Sequence, residues 1–84
     1  MFALDFSTHA EKFLKKSEKE LAKRLVERIE KLAIDPFPKD VKRIVNRKEK
    51  VFRVRVGDYR IQYFVNYEKN LISITDIDER SKAY

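Results

Sequence analysis

The chain has 84 residues, ten of them aromatic, with 43% hydrophobic and 40% charged side chains and a formal net charge of +6. That length makes one domain, residues 1–84, whose core must be compact and well patterned and which has room for one function. Cysteine is absent, which excludes a disulfide framework and a thiolate metal site and suits a reducing cytoplasm.

The opening "MFALDFSTHAEKF" lacks the basic flank and long apolar run of a secretion signal, and no window reaches bilayer length, so the expected location is cytoplasmic, with no membrane partner. In "FALDF", Phe2, Leu4 and Phe6 alternate with Ala3 and Asp5, the period of a half-buried strand. Ser7 or Thr8 then caps a short helix: Thr8 precedes Glu11 by three residues, as a capping box requires, and Phe13 and Leu14 supply its apolar stripe. Ser17 and Glu20 read as a second box. Leu21, Leu25, Ile29 and Leu32 follow on one face of a helix ending near Ala33. Glu20–Arg24 and Glu27–Lys31 are acid-first pairs four apart, each worth about 0.2–0.5 kcal/mol, and read as surface scaffolding. "DPFP" ends the helix, since a proline holds its predecessor out of the α region.

"VKRIV" fits a short strand or an irregular link equally. "VFRVRV", "YRIQYFV" and "LISITDI" are three β-rich segments joined by short turns. The order β-α-α-β-β-β implies an α+β domain: an antiparallel sheet covered on one face by an N-terminal helical hairpin.

The positive charge is concentrated. Residues 39 to 60 carry nine Lys/Arg against Asp40, Glu49 and Asp58, and the other 62 residues carry eleven basic and eleven acidic side chains. One segment thus holds the whole excess, the footprint expected of a polyanion partner, with a solvated basic face as the plainer reading. Lys and Glu enrichment of this order is also the bias of hyperthermophile proteins.

Gly57-Asp58 fits a two-residue type II′ turn, with glycine where positive φ is needed. That turn sets Val56 opposite Tyr59, Arg55 opposite Arg60, Val54 opposite Ile61, Arg53 opposite Gln62 and Phe52 opposite Tyr63. Phe52, Val54, Val56, Tyr59, Ile61 and Tyr63 then share a packed face, and Arg53, Arg55, Arg60 and Gln62 share the other. Like charges directly opposite destabilise a strand pair. Arginines can fork two donors onto a phosphate, so three of them on a rigid sheet suggest a phosphate cradle. The competing reading is an ion network in which Asp76 or Asp78, on the next strand, neutralises them.

With "VFRVRVGDYRIQYFV" at its centre, "VKRIV" upstream and "DERSKAY" downstream, the sequence resembles the RelE/ParE superfamily of toxins from toxin–antitoxin pairs; "RVGDYRI" is the specific part. The resemblance spans essentially the whole chain. It implies a fold similar to a microbial ribonuclease and one of two activities: mRNA cleavage in the ribosomal A site, as in the RelE branch, or poisoning of DNA gyrase, as in the ParE branch. It also implies a cognate RelB-like antitoxin as partner, with the ribosome and mRNA; the residues themselves support no metal site, and no small-molecule cofactor is expected. By position, Arg53 and Arg55 match the basic strand before the turn, Arg60 the "YR" arginine, and Arg80 and Tyr84 the terminal pair.

On that basis the expected catalytic residues are Arg60, Arg55, Arg53, Arg80 and Tyr84. Arg60 and Arg55 would bind the scissile phosphate, Arg53 and Arg80 would orient the strand, and Tyr84 would assist proton transfer or stack on a base. Lys42, Arg43, Arg47, Lys48 and Lys50 are the expected RNA- or ribosome-binding residues. Two departures bear on activity. Arg53 and Arg55 stand where ribosome-dependent members carry lysines, and Asp76 and Asp78 precede the terminal arginine where another base is usual, which leaves a non-catalytic RNA-binding protein as a third reading. His9, the only histidine, reads as a surface residue. Tyr59 and Tyr63 read as core; Phe64 and Tyr67 fit either face.

Overall fold

The computed structural model describes residues 1–44 and 50–79. The alternating start forms β1 (Ala3–Phe6), with Leu4 and Phe6 partly covered and Ala3 and Asp5 exposed. Helix α1 (Thr8–Lys16) follows at once, capped by Ser7, whose Oγ accepts from the Ala10 backbone N–H at 3.1 Å. Ser17 differs from expectation. It ends α1, its hydroxyl donating to the Phe13 carbonyl at 2.6 Å, and α2 (Lys19–Ile34) begins after Glu18 with no side-chain cap.

Leu25, Ile29 and Leu32 of α2 are buried, each burial worth about 1.5–3 kcal/mol. That is several times the contribution of a surface i,i+4 ion pair, so the apolar stripe is what seats the helix. Asp35 closes α2 and its side chain accepts from the Phe37 N–H. "VKRIV" resolves as a short strand, β2 (Lys42–Ile44), and β3 (Val51–Val56), β4 (Tyr59–Asn66) and β5 (Leu71–Glu79) form the expected meander.

The five strands lie in the order β1-β5-β4-β3-β2. Neighbours from β2 to β5 are antiparallel, whereas β1 runs parallel to β5, so the expected antiparallel sheet is mixed at one edge. Both helices pack on the same face of the sheet, α1 against β5 and α2 towards β3. The core is Ala10, Leu25, Ile29 and Leu32 from the helices with Val54, Ile61, Tyr63, Ile72, Ile74 and Ile77 from the sheet.

The β3–β4 register is the one expected, pair by pair, and only Gly57 in the turn has positive φ, +59°, as a type II′ turn requires. The β4–β5 ladder is less regular. Tyr63 faces Ile74 and Gln62 faces Asp76, leaving Thr75 as the extra residue of a bulge. In unbroken alternation Asp76 and Asp78 would share the core face with Ile72 and Ile74. The bulge turns Ile77 into the core instead and places both carboxylates on the arginine face.

Ser7 pins the bulge. Its hydroxyl donates to the Thr75 carbonyl at 2.8 Å while its oxygen caps α1. Ser7→Ala should therefore cost about 2 kcal/mol, roughly one for the cap and one for the strap. Urea unfolding checks this, with Ser7→Thr expected to restore most of the loss.

Tyr63 sits on the central strand, fully buried, and donates its phenol to the Pro36 carbonyl. Burial pushes its pKa well above the ordinary phenol value. The fold thus holds the Tyr63 proton more tightly than the unfolded chain does. Its contribution is complete below about pH 10 and is lost as pH rises beyond that, by up to about 1.4 kcal/mol per unit. Tyr63→Phe should remove this alkaline loss, measured as the pH dependence of the urea midpoint above pH 10, at a cost of about 1 kcal/mol near neutrality.

Candidate functional site

The sheet face turned away from the helices carries the polar side chains in two rows set by register. One row runs Lys42, Arg53, Gln62, Asp76 across β2 to β5, and the other runs Arg55, Arg60, Asp78 across β3 to β5. The face is therefore graded, basic at β2 and β3 and acidic at β5.

Arg60, on the central strand, is forked onto Asp78: Nε to Oδ1 and Nη2 to Oδ2, both at 2.9 Å. The Arg60 side chain is only 15% exposed, which makes this a shielded, bidentate pair rather than a loose surface contact. Asp78 thus offsets the like-charge pairing of Arg55 with Arg60, and that pairing alone no longer argues for a bound anion. For Arg60 the ion-network reading describes the geometry. To grip a phosphate, Arg60 must exchange Asp78 for it.

Arg53 and Arg55 differ. Among the described residues neither forms an ion pair, and together with Lys42 and Asp40 they line a cleft of about 250 Å³. Lys50 is exposed just before β3. Arg43 faces Phe52 in the register, so it lies on the opposite side of the sheet from Arg53. Arg47 and Lys48, like Arg80 and Tyr84, lie outside the described residues.

His9 is exposed, as read from the sequence, but its Nε2 lies 2.8 Å from Asp76 Oδ1. That carboxylate oxygen is buried and has no other partner, so a proton on Nε2 would satisfy it. The α1 start thereby reaches the acidic end of the face, a contact that strand periodicity could not signal.

A larger cleft of about 610 Å³ opens elsewhere, between the α1–α2 turn and the ends of β4 and β5, floored by Phe13, Leu21, Tyr59 and Ile77. Tyr59 packs edge-on against Phe13, ring centroids 6.0 Å apart. Its hydrogen bond to Glu79 and its partial burial raise its phenol pKa, so Tyr59 is held as the neutral donor. Tyr59 and Tyr63 both lie on the packed face, as expected, and neither serves as a stacking platform on the arginine face. Among the described residues no three His, Asp or Glu side chains gather as a metal site, and no helix is long and apolar enough to cross a membrane.

Both the sequence and the fold of this chain are matched among known proteins. Residues 4–84 match the family described as the ParE toxin of type II toxin-antitoxin system, parDE. The putative toxin RelE1 of Methanocaldococcus jannaschii is 42% identical over 65 residues, covering 74% of this chain and 71% of that protein. Among solved structures, the archaeal RelE–RelB complex from Pyrococcus horikoshii OT3 superposes with a TM-score of 0.81 at 26% identity, over 96% of this chain and 97% of that one. The intact E. coli RelBE toxin–antitoxin complex, at 17% identity and a TM-score of 0.79, covers 94% of this chain and 96% of its own and shares the fold. The chain belongs to the ParE/RelE family of toxins from type II toxin–antitoxin systems.

Proposed function

We propose that this toxin is a ribosome-dependent mRNA endonuclease that arrests translation, acting without a metal or small-molecule cofactor, and that a RelB-like antitoxin restrains it. The observation that carries the reading is the basic strip of Lys42, Arg53 and Arg55, whose two arginines have no carboxylate partner among the described residues. Arg55 and Arg53 bind the scissile phosphate and stabilise the charge that develops as a 2′-hydroxyl attacks it in line. Their guanidiniums stay protonated, so they serve as electrostatic groups, not as proton donors. Arg60 neutralises Asp78 and steadies the face beneath the phosphate, Lys42 and Lys50 extend the contact, and Arg43, on the reverse face, meets the ribosome. Arg80 and Tyr84 keep the roles that the family resemblance implies, and Arg47 and Lys48, in the basic segment, bind RNA or the ribosome. The ribosome supplies the remaining alignment of the 2′-hydroxyl and the phosphate. A RelB-like partner is supported by the P. horikoshii and E. coli relatives, both solved as RelE–RelB or RelBE complexes.

A second reading, a gyrase inhibitor, is favoured by the ParE family match and by the carboxylates at the β5 end of the face, where a phosphate would be repelled. Purified toxin added in parallel to a translating extract and to a gyrase supercoiling reaction separates the two. The endonuclease reading expects truncated mRNA and normal supercoiling; intact mRNA with blocked supercoiling would replace it with the second.

A further inference from the structure

The arginine face does not stop at the sheet. β2 pairs only with Val51–Arg53, so the end of β3 that carries Arg55 has no strand outside it among the described residues. A third cleft, of about 340 Å³, opens over that uncovered end and reaches α2, where Arg24, Arg28 and Lys31 line it with Glu27. It shares Arg55 and Asp40 with the cleft at Lys42 and Arg53, so the two adjoin. Six cations then face two carboxylates along one path, and Asp40 is already paired with Arg28.

Three details give this path the character of a site. Arg24 and Lys31, read from the sequence as halves of helix-surface ion pairs with Glu20 and Glu27, close no ion pair among the described residues. Arg28 Nε is buried with no hydrogen-bond partner, a donor in want of an acceptor. The β3–β4 turn also makes room for Arg24: a Cβ on Gly57 would lie 3.2 Å from the Arg24 Nη2, so glycine there serves both the positive φ and the close approach of a guanidinium.

We propose that this track binds the ribose-phosphate backbone of an RNA strand, carrying it from the Arg53–Arg55 strip over the open end of β3 onto α2. Spaced cations with little aromatic surface suit backbone contact and not base readout. The identity of the polyanion as RNA rests on the endonuclease reading. The positions of the contacts do not.

The test is binding of purified toxin to a fluorescent single-stranded RNA oligonucleotide, by anisotropy, across a salt series. Arg24→Gln with Lys31→Gln should lower affinity about tenfold or more at about 50 mM salt. The slope of log affinity against log salt should flatten by about 1.4, the share of two single-strand phosphate contacts. The control is Lys12→Gln with Lys15→Gln on α1, which makes the same change in net charge away from the track and should leave the slope close to the wild-type value. Equal losses in the two double variants, or an unchanged slope in the first, would overturn the track, as would wild-type toxin that shows no salt-dependent RNA binding. Because no ribosome is present, an intact track with no cleavage in a translating extract would reject the endonuclease reading alone.

Discussion

Asp78→Asn should destabilise the toxin and at the same time tighten its hold on RNA. The first effect follows from the fork: Arg60 Nε and Nη2 each meet one carboxylate oxygen at 2.9 Å, and the guanidinium is largely shielded from water. An asparagine presents one acceptor and one NH2, so half of the fork is replaced by donor against donor. A cost of about 2 kcal/mol is expected, that of a lost charged hydrogen bond. For a domain of this length that lowers Tm by roughly 8–16 °C. The second effect follows from the grading of the face. Removing the charge of Asp78 deletes an anion beside the phosphate path and loosens Arg60 towards it, so RNA affinity should rise several-fold at low salt. Thermal unfolding and RNA anisotropy on the same preparation check both signs; unchanged Tm, or weaker RNA binding, would mean that the pair does not set the electrostatics of the face.

Arg55→Ala should slow mRNA cleavage about 10²–10³-fold, the usual cost of removing one preorganised group that stabilises transition-state charge, about 2.7–4 kcal/mol. Its stability should scarcely change, because Arg55 is exposed and makes no ion pair among the described residues. If anything, removing it relieves repulsion with Arg60 across the strand pair. The pairing of a large loss of rate with an unmoved urea midpoint distinguishes this residue from Arg60, whose loss would also leave Asp78 unpaired. Single-turnover cleavage on stalled ribosomes gives the rate, and urea unfolding gives the stability.

Much of this architecture is legible in the sequence. The β3–β4 hairpin could be read pair by pair because a single glycine fixes the turn and strict alternation fixes the faces. Leu25, Ile29 and Leu32 announced the buried face of α2 through their spacing. The direction of β1 was not legible: period-two alternation says which side chains turn inwards, and nothing about which strand lies alongside or which way it runs.

The Thr75 bulge decides the electrostatics of the site, and its only trace in the sequence was a conflict. "ISITDID" puts Asp76 and Asp78 in phase with Ile72 and Ile74, which would bury two carboxylates; one extra residue resolves it. Without that residue the Arg60–Asp78 fork stood only as one of two readings of the arginine face, and the His9–Asp76 contact could not be placed. Arg24 and Lys31 were missed for another reason. Their i,i+4 acidic neighbours offered a sufficient local explanation, and only the packing of α2 beside the open end of β3 shows them as one wall of a cleft.

The central claim is tested most directly by primer extension on a defined mRNA in a translating extract with purified toxin. Discrete cuts in register with the reading frame are predicted, lost when initiation is blocked and reduced at least about a hundredfold by Arg53→Ala with Arg55→Ala. Full-length mRNA in the presence of folded wild-type toxin, or cuts of equal strength from the double variant, would contradict it.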